Sequence, residues 1–370
     1  MKKIKILTTS FFVFLLIITF VNGEAIKKIV DSTKRENTIP QKIDRVICSG
    51  SGTLRLLTYI QAQDKIIAVD DIEVKKNIFD ARPYALANPQ FKKYPIFGQF
   101  RGFDNPELIL GLEKIPQVIF KSYAGSGYDP IELQNKTGIP VIILNYGDLA
   151  YNKDQFYNSL RIMGSVMNKE KRAEELINYI DRCIDDLQKR CAGIPENKKK
   201  TCYIGGVAQR GPQAFNSTEP AYPPFKMVDA INLAYDKTKS PKELAHAFIA
   251  KEKIIEWNPE IIFIDLATLQ SESKGNAYYE VKNDPVYKEL KAVKNDNVYG
   301  LLPYNWYTAN YESIIINAYY IGKLLYPEKF SDIEMEKKAD EIFTFFVGKP
   351  VFKEMNKEFN NMILKKLPLK

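Results

Sequence analysis

The sequence predicts an α/β protein built as two lobes joined by one long helix. Short apolar runs alternate with helical stretches from residue 45 onward, the pattern of a mostly parallel sheet covered on both faces. That alternation stops at residues 169–192, KEKRAEELINYIDRCIDDLQKRCA, where Ala173, Leu176, Ile177, Ile180, Cys183, Ile184 and Leu187 form one apolar stripe on a charged rod. It then restarts, and the second half repeats a local signature of the first. At 1.5 Å per residue this central helix is roughly 36 Å long, about the width of a small domain. Asn168 is the expected N-cap, and Gly193 with Pro195 the stop.

In chain order, residues 1–23 read as a secretory signal: three lysines, an apolar run from Phe11 to Val21, then the small residues Gly23 and Ala25. No cysteine lies near the cleavage region, so a lipid anchor is not expected. Removing the segment takes three lysines from a formal charge of +8, leaving +5, a mildly basic balance that attracts anionic ligands and gives no case for nucleic acid. Residues 24–150 form the first lobe, with a hairpin over 29–39 closed by Pro40 and strands over 45–48, 66–70, 117–121 and 141–145. Residues 151–196 are the connection that contains the long helix. Residues 197–326 form the second lobe, with strands over 202–207, 233–236, 261–265 and 297–302. Residues 327–370 are a helical, aromatic-rich tail expected to pack on that lobe. The shared signature is ELILGLEKIPQVIF from Glu107 and EKIIEWNPEIIF from Glu252, each a glutamate opening a short helix, a proline and a buried strand.

Composition excludes several classes. At 45% hydrophobic and 26% charged residues the chain is globular. Four cysteines show no metal-ligand spacing, and Cys191 with Cys202 is the one pair a disulfide would suit, against buried free thiols. The single histidine, His246, rules out a three-histidine metal cage, and packing is its simplest role. GxGxxG, Walker and GxSxG patterns are absent, so nucleotide binding and α/β-hydrolase chemistry have no support.

Candidate ligand contacts lie in loops after predicted strand ends, where open α/β sheets hold ligands. Ser51 and Gly52 stand in SGSGT, where glycine lets a ligand approach the backbone. Arg82, Tyr84 and Arg101 follow in the first lobe, and Arg210, Asn216, Ser217 and Tyr222 lie in a long loop of the second. Arginine's planar fork suits carboxylates and other oxyanions. Tyr304, Asn305, Trp306 and Tyr307 offer flat apolar walls with polar tips.

The ordered set of IVDS, TIP, DRVICSGSG and the two glutamate-proline-strand units around a central helix resembles the exported binding proteins of ABC importers for iron complexes and cobalamin. GGV at 205–207, NSTEPAYPPF at 216–225, LPYNWYTANYES at 302–313 and FFVGKPVF at 345–352 place it near a branch for metals or metal complexes. The resemblance implies the class III fold: two Rossmann-like lobes, a backbone helix that permits modest closure, and a ligand between them. It implies an exported, monomeric, non-enzymatic receptor without a cofactor. The expected ligand is an iron(III) complex, a siderophore first, then haem or a corrinoid. The expected partners are a membrane permease and its ATPase, with Glu107 and Glu252 docking onto permease arginines. Direct capture of ferric iron or an oxyanion by tyrosines and arginines stays open, as do an exported two-lobed enzyme and a surface protein reusing the fold.

Overall fold

The computed structural model describes residues 19–21, 24–75, 79–123, 125–272 and 275–370. The signal expected over 1–23 therefore lies outside the described residues, apart from the short strand β1 (Thr19–Val21). β1 pairs with β2 (Glu24–Val30), which forms the expected hairpin with β3 (Glu36–Pro40), Val30 facing Glu36. At its tip Asp31 accepts from Thr33 N at 2.9 Å and from Arg35 Nε at 3.1 Å, which closes the turn.

The first lobe continues with β4 (Val46–Ser49), α1 (Thr53–Tyr59), β5 (Val69–Asp70), α2 (Asp71–Val74), α3 (Pro83–Ala87), β6 (Ile96–Gln99), β7 (Phe103–Asp104), α4 (Pro106–Leu110), β8 (Val118–Ser122), α5 (Pro130–Thr137) and β9 (Val141–Leu144). Strands β4, β8 and β9 form a parallel sheet. Its residues are buried on both faces, which is why these strands read as continuous apolar runs. β5, β6 and β7 make a smaller sheet beside it. Sequence reading misses β6 and β7, because Gly98 and the exposed Ile96 and Phe103 leave no alternating pattern.

α6 (Lys153–Met167) and α7 (Glu170–Cys191) form a helical hairpin. α7 is the expected long helix of 22 residues. It buries Ala173, Leu176, Ile177, Ile180, Cys183 and Leu187 along its stripe. Asn168 is not its N-cap: at φ 54° and ψ 45° it ends α6 in the left-handed conformation.

The second lobe comprises β10 (Thr201–Gly205), β11 (Ser217–Thr218), α8 (Pro223–Met227), β12 (Ile231–Asn232), α9 (Pro241–Leu244), β13 (Ala247–Phe248), α10 (Lys251–Trp257), β14 (Ile261–Asp265), α11 (Ala277–Asn283), α12 (Lys291–Lys294), β15 (Val298–Leu301) and α13 (Tyr311–Leu325). Its sheet runs β12-β10-β14-β15 in parallel. The strand expected over 233–236 lies slightly earlier, at β12, because Asn232 turns the chain by accepting from Ala234 N at 3.1 Å.

The tail is α14 (Met335–Val347), α15 (Phe352–Glu358) and β16 (Lys365–Lys366). It does not rest on the second lobe alone. Phe346 packs edge-on to Tyr59 of α1, Phe359 lies 5.5 Å from the Phe79 ring, and Glu358 accepts from Asp80 N at 3.1 Å. The chain then returns to the second lobe, where β16 pairs antiparallel with β15. All four cysteines are free and buried, so Cys191 and Cys202 are not bridged.

Candidate ligand-binding cleft

A concavity of about 860 Å³ lies between the lobes. It is lined by the loops at the carboxyl ends of parallel strands: Ser51 after β4, Ser122 at the end of β8 and Tyr146 after β9 in the first lobe, then Arg210 after β10, Gln270 after β14 and residues 305–309 after β15 in the second. The β6–β7 turn adds Phe100 and Arg101. A strand exposes its backbone where it ends, so parallel sheets collect adaptable loops at that edge.

The cleft carries one exposed arginine from each lobe. Arg101 and Arg210 are both exposed and both stand on left-handed backbone, at φ 65° and 57°. Arg101 lies 5.0 Å from the Phe100 ring centroid. Neither forms an ion pair with the described residues, and no carboxylate is among the described residues that line the cleft. Ser51, Ser122, Tyr146, Tyr307 and Thr308 share the lining with the two arginines, and Trp306, Phe100 and Phe103 add apolar surface. The combination suits an anionic ligand with flat apolar surface.

Of the residues proposed from sequence, the structure brings Ser51, Arg101, Arg210, Asn305, Trp306 and Tyr307 into the cleft. The others are elsewhere. Arg82 is fully buried, giving its fork to Asp80 at 2.7 and 2.8 Å and Nη1 to Glu73 at 2.9 Å, so it neutralises buried carboxylates and is not a ligand contact. Tyr84 is buried beside it and donates to Glu73 at 2.6 Å. Gly52 sits under the cleft: a Cβ there would fall 2.5 Å from Thr308 Oγ1 and 2.7 Å from Arg55 Nη1. Asn216 is outside the lining, its carbonyl accepting from Ile249 N at 2.9 Å. Tyr222 is buried and 3.3 Å from Asn317 Nδ2, and Tyr304 is buried against Glu219.

Ser217 is buried in β11, donates to the Val207 carbonyl at 2.7 Å and meets His246 Nε2 at 2.8 Å. With its proton committed to a carbonyl, Ser217 Oγ is served by an Nε2–H donor rather than a general base, so the pair is a packing contact. Burial also holds the imidazole below its ordinary pKa.

Both tyrosines that line the cleft already have hydrogen-bond partners. Tyr146 donates to Ser122 Oγ at 2.7 Å, and Tyr307 is bonded to Asp70. Burial pushes Tyr146 up to about 12, and burial together with Asp70 raises Tyr307 well above its ordinary value. The carboxyls behind this layer are perturbed as well: burial lifts Asp70 and Glu219 to about 8 each, and Glu312, bonded to Tyr59, to about 7.

Sequence reading misses Phe100, Tyr146 and Thr308. Tyr146 directly follows a predicted strand and carries the same signal that marks Ser51; Thr308 carries none. Glu107 and Glu252 both stand exposed in the first turn of a short helix, α4 and α10, the former after an Asn105 cap that accepts from Leu108 N at 3.0 Å.

A profile of the family described as periplasmic binding protein matches residues 46–304. The molybdate-binding protein MolA of Haemophilus influenzae is 22% identical over 86% of this chain and 90% of its own. The Fe(3+)-citrate-binding protein YfmC of Bacillus subtilis is 26% identical over 45% of this chain and 48% of its own. Among solved structures, molybdate-bound MolA superposes with a TM-score of 0.65 at 20% identity, covering 87% of this chain and 98% of that one. A periplasmic solute-binding protein from Veillonella parvula gives 0.68 at 19% identity, covering 92% and 98%.

Proposed function

The chain belongs to the periplasmic binding protein family, with the two Rossmann-like lobes and backbone helix of its class III members, and is the substrate-binding component of an ABC transporter; we propose that its substrate is an anionic iron(III) complex. The observation that carries this reading is the inter-lobe cleft with Arg101 on one wall, Arg210 on the other and no carboxylate among the described lining residues. A volume of about 860 Å³ suits a chelate, whereas a single tetrahedral oxyanion would fill a small part of it. The similarity to an Fe(3+)-citrate-binding protein supports the same class. The similarity to a molybdate-binding protein over most of the chain favours an oxyanion as the second reading, since two arginines serve either anion. In both cases the protein works by affinity outside the cytoplasmic membrane and hands its ligand to a permease, which Glu107 and Glu252 engage, one per lobe.

Titration of the purified protein with ferric citrate, a ferric siderophore, haem, cobalamin and molybdate, followed by tryptophan quenching, tests the ligand. Saturable binding of a ferric chelate at micromolar concentration or tighter is expected. Arg101→Ala or Arg210→Ala should weaken it roughly 10- to 100-fold, the range of a charge-assisted hydrogen bond. Binding of molybdate alone would replace the chelate by the oxyanion. For docking, Glu252→Lys should abolish uptake while leaving ligand affinity near wild type; equal loss of both would remove Glu252 from the permease surface.

A further inference from the structure

Arg55 belongs to α1 of the first lobe and is 1% exposed, yet its guanidinium reaches a loop of the second. Nη1 donates to Thr308 Oγ1 at 3.0 Å, and Nη2 donates to the carbonyls of Trp306 at 2.9 Å and Tyr307 at 3.0 Å. These three consecutive residues line the cleft. Two of them stand on left-handed backbone, Tyr307 at φ 52° and Thr308 at φ 65°. For a bulky or β-branched residue that conformation persists only where its surroundings over-determine it.

Arg55 is also an unusual buried cation. Neighbouring Arg82 shows the ordinary arrangement, with Asp80 and Glu73 on its fork. Arg55 has no ion pair among the described residues, its Nε has no partner, and every hydrogen bond of its fork goes to this one loop. Glu73 and Glu312 feel its charge without touching it. Because Thr308 Oγ1 accepts from Arg55, its own proton is left for another partner. Gly52 is part of the same fit, since any side chain there would strike both Thr308 and the guanidinium.

We propose that Arg55 is the positioning residue of the binding loop: its fork locks residues 306–308 in the left-handed turn that presents Trp306, Tyr307 and Thr308 to the ligand, and ties that loop to the first lobe. The proposal rests on the cleft being the ligand site. Lysine cannot take its place, because an ammonium on a flexible stem does not reproduce a rigid planar fork spread over three acceptors.

The chain has two tryptophans, Trp257 and Trp306, so Trp257→Phe leaves Trp306 as the sole reporter. In that background Arg55→Ala should shift Trp306 emission in the ligand-free protein and weaken ferric citrate or molybdate binding, whichever the parent binds, at least tenfold. Millimolar methylguanidinium should restore both, and Arg55→Lys neither. Should Arg55→Ala fail to fold, Arg55→Gln is read the same way. Unchanged emission and affinity would overturn the proposal, as would full rescue by lysine, which would reduce Arg55 to its charge, or weakened binding with unchanged emission. The emission is read without ligand, so a failure of the ligand assignment shows as a parent that binds neither probe, while a failure of the Arg55 role shows as an unmoved Trp306.

Discussion

At neutral pH Asp70 holds a proton that an exposed aspartate would have lost. Burial is the main cause, the nearby Glu73 carboxyl adds to it, and the Tyr307 hydroxyl partly offsets both. In the unfolded chain Asp70 ionises near 4, whereas in the folded protein it does so near 8. The stability of the neutral carboxyl is therefore complete below the ordinary value and is lost as pH rises through about 8. The melting temperature should fall as pH rises from about 5 to about 8, with a shallower slope in Asp70→Asn; equal slopes would show that Asp70 is not responsible. Residues of this kind mark the limit of sequence reading. Arg101, Arg210 and Asn305 were legible because they follow strand ends in loops, where exposure is the default. Arg82, Tyr84 and Tyr304 stand in similar loops, but partners from elsewhere in the chain, Glu73, Asp80 and Glu219, draw them inside. Polarity alone does not reveal which loop residue has a buried partner.

Whole elements were easier to read where one periodicity ruled them. α7 declared itself by a 3.6-residue stripe, and β4, β8, β9 and β14 by apolar runs buried on both faces. The start of α7 falls within one residue of its expected place, but its cap does not, because α6 and α7 are separated by so short a turn that Asn168, polar and before a helix, serves the end of the previous one. The β4–α1 turn depends on Gly52, which at φ 75° also lies against the loop after β15. Gly52→Ala adds roughly 1–2 kcal/mol of left-handed strain, and its Cβ must displace Thr308 or Arg55 as well. Chemical denaturation should show a loss of at least that size, together with weaker ligand binding. A neutral result would mean that the two loops are free to separate.

In the molecule as a whole the two lobes are joined by more than the α6–α7 connection. The tail leaves the second lobe, covers α1 and α3 of the first and returns to β15. Phe359 lies between Phe79 and Trp306, so the tail also supports a wall of the cleft. Phe359→Ala should cost about 3–5 kcal/mol, the usual range for removing a buried aromatic ring, and should change Trp306 fluorescence; stability lost with that signal unchanged would separate the tail from the cleft. Sequence reading found the aromatic tail but assigned it to one lobe, since apolar content shows that a segment is buried and not against what.

β16 has a further consequence. An unpaired outer strand offers a row of hydrogen-bonding groups on which a second copy of the chain can assemble. By lying antiparallel on β15 with Lys365 and Lys366 exposed, the final strand occupies that template and surrounds it with positive charge. The same segment that braces the lobes thereby guards a concentrated solution of the receptor against edge-to-edge aggregation.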